Sequence, residues 1–158
     1  VLGLLEGPCI FGNFATQPSD DHDKPLSEEK SLRLLDDVLS GLAHLHSCNV
    51  IHRDIKPDNC VLSTAHPNAH AVLVDFGLAR EMPDGALIKK DTYCSSDVHG
   101  ANMTMSPEKE LTKYDFGDTH AYGLPSDVWC VGILGHILLC GKLPYPDAPD
   151  SFKLKAAL

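Results

Sequence analysis

The chain has no excess of positive charge. Its 158 residues carry 13 Lys and Arg against 22 Asp and Glu, a formal net charge of -9. A nucleic-acid surface needs a basic patch, so this balance argues against such a partner. A long apolar run is missing too. The longest, Val128 to Cys140, is interrupted by His136 and is too short to span a bilayer. Residues Val1 to Ile10 lack the basic start of a secretory signal. No membrane role is expected from these features.

There is no C-x-x-C pair among the six cysteines at positions 9, 48, 60, 94, 130 and 140. That excludes the common zinc spacings and gives no disulfide framework, and an intracellular reducing compartment, cytoplasmic or nuclear, is expected. Cys60, Cys130 and Cys140 sit in apolar stretches, where a free thiol acts as a small hydrophobe. Nine histidines invite a metal reading. His44 and His46, however, do not share a helix face, and His66 and His70 flank Pro67 in a loop. Satisfied structural histidines are the expectation. Hydrophobic content of 43% and this length fit one globular domain.

Ser27 is a good N-cap, with Glu28 and Glu29 in the first turn where negative charge suits the helix dipole. Leu32, Leu35, Leu39, Leu42 and His46 follow at helical spacing and are expected to form its core stripe, the helix ending near Cys48-Asn49. Val50-Ile51, Val61 to Ser63 and Ala71 to Val74 read as short strands, as does Val1 to Leu5. The last two strands before Asp75 should form a hairpin through the turn-rich stretch Thr64 to His70. Leu78 to Met105 is polar and irregular, the mark of a functional or disordered loop. Ser126 is expected to cap a helix from Asp127 to Cys140 that is apolar nearly all round and therefore buried. Gly141 should end it, and a last helix is expected from Asp150 or Ser151.

Between two of these strands lies His52-Arg53-Asp54-Ile55-Lys56-Pro57-Asp58-Asn59, a polar loop held by buried neighbours. Asp75-Phe76-Gly77 follows, then Ser106-Pro107-Glu108, Ser126-Asp127-Val128-Trp129 and Gly141-Lys142-Leu143-Pro144. In this order the segments resemble the catalytic loop, the metal-binding turn and the following landmarks of eukaryotic protein kinases. Lys56 points to the Ser/Thr type. The run Ile137 to Gly141 is similar to the calmodulin-dependent kinase group. The resemblance implies an α+β protein-kinase-like fold: a mainly α-helical C-terminal lobe with short β-hairpins, the N-terminal lobe being absent. Residues 1–158 would run from the hinge region through the activation segment and the buried central helix.

The same resemblance implies transfer of the γ-phosphoryl group of ATP to a protein hydroxyl, with Mg2+. Such chemistry asks mainly for positioning and charge neutralisation. Asp54 would orient the hydroxyl and take its proton, and Lys56 would neutralise the transferring phosphate. Asn59 and Asp75 would hold Mg2+, for which hard oxygen ligands suit. His52 and Phe76 would pack in the core, Gly77 would allow the sharp turn after Asp75, and Glu108 would be structural. Asp127 would accept hydrogen bonds from the catalytic-loop backbone. Arg53 and Arg80 would be regulatory, pairing with Asp97, which falls where many kinases carry a phosphorylated residue.

Several family features have no counterpart here. There is no G-x-G-x-x-G loop, no V-A-I-K-type lysine and no partner glutamate. Ala101 stands where these kinases usually have a Thr, and Thr104 replaces a usual aromatic. The chain also starts without Met inside an apolar run. It therefore reads as a fragment, inactive by itself, whose partners are its own N-terminal lobe and a protein substrate. The rival reading is a pseudokinase-like interaction or scaffold module: Asp54, Asn59 and Asp75 argue against it, Ala101 and the missing N-terminal lobe for it. Small-molecule phosphotransferases are a further rival, but they lack the Ser-Pro-Glu segment.

Overall fold

The computed structural model describes residues 5–10, 25–83, 85–89, 104–112 and 121–145. The expected strand Val1 to Leu5 (save its last residue), the helix after Asp150, and Asp97 and Ala101 lie outside these residues.

Helix α1, Glu28–Ser47, starts as its sequence dictates, with the Ser27 hydroxyl accepting from the Lys30 N–H. It stops at Cys48, and Asn49 turns the chain away at a φ of 57°. The buried stripe differs from the expected one. Ser31, Leu34, Val38 and Leu42 face inward, whereas Leu32 is 53% and Leu39 45% exposed. Two leucine-bearing stripes overlap on this helix, both at helical spacing. The buried one carries Ser31, whose hydroxyl donates to the Leu138 carbonyl at 3.3 Å and so tolerates the interior.

Helix α2 is short, Pro107–Leu111, and is capped by Ser106. Helix α3, Pro125–Cys140, begins two residues earlier than the sequence suggests, with Pro125 in its first turn. Ser126 therefore does not cap it; its hydroxyl pairs with that of Ser106 at 2.7 Å. Gly141 ends α3 in the left-handed conformation, φ 69°, that glycine adopts without strain. The helix is buried along most of its surface, through Cys130, Val131, Ile133, Leu134, Ile137 and Leu138. Val128 and Leu139 are exposed.

Contacts at both ends fix how α1 and α3 pack. Leu26 N–H and Ser31 Oγ, at the start of α1, both donate to Leu138 near the end of α3. His46, at the end of α1, meets Asp127 at the start of α3. The helices thus run antiparallel. They approach closely where Gly135 faces Leu35, since a Cβ there would lie 3.2 Å from Leu35 Cδ1.

The two expected strands pair as an antiparallel hairpin, β2 Cys60–Leu62 with β3 Ala71–Leu73. α1 grips it from the side. Asp37 accepts from the Ala71 N–H at 2.9 Å, and Arg33 donates to the Ala69 and Pro67 carbonyls. Leu34, Val38, Leu42, Cys60, Leu62, Ala71, Leu73, Leu134 and Leu138 share one core between hairpin and helices. Strand β1, Val50–Ile51, pairs instead with β4, Arg80–Glu81. Strand β4 lies inside the stretch expected to be irregular, as does Ile88, which bridges to Tyr122. A small separate cluster of Ile51, Met82, Ile88 and Tyr122 holds it.

Candidate active site

The polar loop leaves β1 and enters β2, so both its ends are anchored in paired strands. His52 is fully buried. Its Nδ1 accepts from the Asp54 N–H at 3.3 Å, and its Nε2 lies 3.1 Å from the Val74 carbonyl. A backbone N–H only donates and a carbonyl only accepts, so the proton sits on Nε2. Across the loop, Asp127 reaches back from α3. Its Oδ2 accepts from the His52 N–H at 2.8 Å, and its Oδ1 from the Arg53 N–H at 2.9 Å. The His46 ring adds a contact of 3.0 Å to the same Oδ2. Asp127 is almost wholly buried, and these partners are what permit it.

Arg53 has a φ of 73°, in the left-handed region that non-glycine residues rarely adopt. The turn presents Asp54, whose Oδ2 receives two charge-assisted or amide hydrogen bonds of 2.8 Å, from Lys56 Nζ and Asn59 Nδ2. Asn59 Nδ2 also donates to the Asp54 carbonyl at 2.8 Å. The Pro57–Asn59 turn is a short 3-10 helix that brings Asn59 back toward Asp54. Carboxylate, ammonium and amide therefore form one hydrogen-bonded cluster.

The hairpin brings Asp75 close to this cluster through the backbone. The Val74 N–H donates to the Asn59 carbonyl at 3.0 Å. Here the sharp turn expected at Gly77 falls on Asp75 itself, φ 61°, and Asp75 Oδ1 accepts from the Gly77 N–H at 3.2 Å. An aspartate tolerates this region because its short side chain can bond the local backbone. Gly77 matters for space: a Cβ there would lie 3.1 Å from that same oxygen. Phe76 is likewise not a core residue. It is 49% exposed, and its ring rests against His52 with centroids 5.1 Å apart.

Asn59 makes both its side-chain hydrogen bonds through nitrogen, and Asp75 is exposed with one carboxylate oxygen engaged. The side-chain oxygen of one and the second oxygen of the other are thus left over among the described residues. That donor set fits Mg2+, which takes few protein oxygens and keeps waters and phosphate oxygens.

Arg80 lies exposed on β4, opposite Ile51. Glu108 is in the first turn of α2, half-buried. Sequence reasoning missed Lys109, its neighbour. Lys109 is 5% exposed, and its Nζ donates to the Arg53 carbonyl at 2.8 Å. A five-residue helix offers no periodicity from which its burial could be read. Lys109 lines a small cavity with Arg53, Asp54, Thr104, Met105 and Cys130. Burial foremost, then Asp127, pushes the Cys130 thiol up to about 12, with Asp54 and Glu108 adding to the effect and Lys109 opposing it.

A helical body with two small antiparallel pairs thus holds an Asp-Lys-Asn cluster beside a second Asp. The protein kinase domain family matches residues 12–157, and the chain belongs to that family. It is 33% identical over 156 residues to a probable serine/threonine-protein kinase, fhkC, of Dictyostelium discoideum, covering 97% of this chain and 23% of that protein. It is 32% identical over 146 residues to death-associated protein kinase 2 of Mus musculus, covering 92% and 34%. MAP kinase-activated protein kinase 2 of Cricetulus longicaudatus is 29% identical over 145 residues, covering 92% and 39%. The chain thus spans well under half the length of these relatives.

Proposed function

We propose that the protein containing this chain is a serine/threonine kinase acting on protein hydroxyls. The observation that carries the reading is the Asp54 carboxylate, held at 2.8 Å by both Lys56 and Asn59 on a loop tied to Asp127. The kinase names of the relatives support it, and none of these observations favours the scaffold reading.

In this reading Asp54 orients the substrate hydroxyl and accepts its proton. The hydroxyl oxygen bonds to the γ-phosphorus of ATP, the bridging bond to the β-phosphate breaks, and ADP leaves. Lys56 stands beside Asp54 as a point charge that offsets the charge on the moving phosphoryl group. When bound, Mg2+ neutralises the phosphate oxygens, and Asn59 and Asp75 are the residues that would hold it. The glycine-rich loop and strand lysine of the family would come from elsewhere in the full-length protein. Regulation through Arg53, Arg80 and Asp97 belongs to the same proposal, as does a reducing intracellular compartment.

The test is phosphoryl transfer from ATP to Ser- and Thr-containing peptides by the full-length protein. Asp54→Ala should lower kcat by about a hundredfold or more, the usual weight of a positioned base. No transfer by the wild type would sink the reading, and full transfer by the variant would remove Asp54 from it.

A further inference from the structure

A lysine in a short helix is ordinarily a solvated side chain. Lys109 is not, and taking an ammonium out of water is costly unless it is compensated. Its surroundings supply compensation of several kinds. Nζ donates to the Arg53 carbonyl at 2.8 Å and lies 5.6 Å from the centre of the Tyr122 ring, on the π face that attracts cations. The small cavity that Lys109 lines is also lined by Asp54, so a carboxylate stands at the same recess.

The consequence lies in the backbone of Arg53. Its strained φ of 73° leaves an N–H and a carbonyl that no regular element satisfies. The N–H ends on Asp127 of α3, and the carbonyl ends on Lys109 of α2. That carbonyl belongs to the peptide leading directly into Asp54. We propose that Lys109 is a positioning residue for phosphoryl transfer: its ammonium pins the Arg53–Asp54 peptide and so fixes the direction of the Asp54 carboxylate. The proposal rests on the kinase reading. Lys109 touches neither substrate nor nucleotide in it. It acts through one peptide plane, opposite the anchor that Asp127 provides, and it links α2 to the loop.

The experiment uses the full-length kinase with Lys109→Met, which keeps length without donors, and Lys109→Arg, which keeps both charge and donors. Turnover, KM for ATP and for a peptide, and the thermal midpoint are measured together. Lys109→Met should lower kcat by about tenfold or more, the scale on which small misplacements of a catalytic group act. Both KM values should stay within about twofold, because nothing that binds substrate has changed. The thermal midpoint should hold or rise, since a buried charge gives way to an apolar side chain of similar size. Lys109→Arg should recover most of the turnover. Wild-type kcat in Lys109→Met overturns the proposal, as does a loss that only follows a falling thermal midpoint. If Lys109→Met does not fold, Lys109→Leu, likewise without donors, replaces it under the same criteria. Asp54→Asn in the same assay separates the two readings. If the wild type itself transfers no phosphate, the kinase reading fails; if Asp54→Asn is inactive while Lys109→Met is normal, only the role of Lys109 falls.

Discussion

Asp127 spends both carboxylate oxygens on the N–H groups of His52 and Arg53. Removing the acceptor would leave two buried donors unsatisfied, at about 1–3 kcal/mol each. Asp127→Ala in the full-length protein should therefore lower unfolding free energy by roughly 3 kcal/mol or more, read by urea denaturation. His46→Ala takes away a partner that is part-exposed, and should cost no more than about 1 kcal/mol. Equal losses for the two would show that the loop is not hung on Asp127. The anchoring contacts of Asp127 were legible in the sequence, because Ser126-Asp127-Val128-Trp129 resembles a known landmark. Lys109, whose contact is equally short, was not. Its burial is set by the meeting of α2 with the loop 56 positions earlier in the chain, and no local pattern encodes such a meeting.

Most elements could be read locally, and their packing could not. Ser27, Gly141 and the turn between Leu62 and Ala71 mark boundaries with side chains or backbone freedom that act within a few residues. The inward face of α1 depends instead on where α3 and the hairpin sit. Leu32 and Leu39 were expected inside by spacing, yet Leu34 and Val38 fill that place. Strand β4 escaped notice because a two-residue strand at Arg80–Glu81 has no alternation to detect; its pairing with Val50–Ile51 defines it. The chosen stripe can be tested by paired substitutions in the full-length protein. Leu34→Ala should cost about 2–5 kcal/mol, as buried leucines do. Leu32→Ala should stay within about 0.5 kcal/mol. A reversal of that order, measured by chemical denaturation, would restore the stripe read from the sequence and remove the packing described for α1 and α3.

At the scale of the molecule, the cysteines report on how the helical core closes over the site. Cys60 and Cys130 are buried, while Cys48 and Cys140 are exposed, the last against its apolar sequence setting. Iodoacetamide applied to the native protein should label Cys48 and Cys140 well before Cys60 and Cys130, as peptide-resolved mass spectrometry would reveal. The same burial sets a pH dependence. Desolvation first, then Asp58 and Cys9, pushes Cys60 from 9.0 up to about 12, and Cys130 rises from 9.0 to about 12 as well. In the unfolded chain both thiols ionise near 9.0, whereas in the folded one they keep their protons to about 12. Between those values the folded state binds more protons than the unfolded state, so stability falls as pH rises. The stabilisation from the protonated thiols is fully present below pH 9.0 and is lost as pH climbs toward about 12. Each thiol can contribute a slope of up to about 1.4 kcal/mol per pH unit in that window. Lysines and tyrosines also titrate there, so the measurement is a comparison. Urea unfolding of the wild type, Cys60→Ala and Cys130→Ala at pH 8, 9.5 and 10.5 gives the three slopes. Each variant should start lower, because a cavity replaces the sulfur, but should decline less steeply with pH. Parallel lines for all three would mean that these thiols ionise as easily inside the protein as outside, which is incompatible with a core that closes over Cys60 and Cys130.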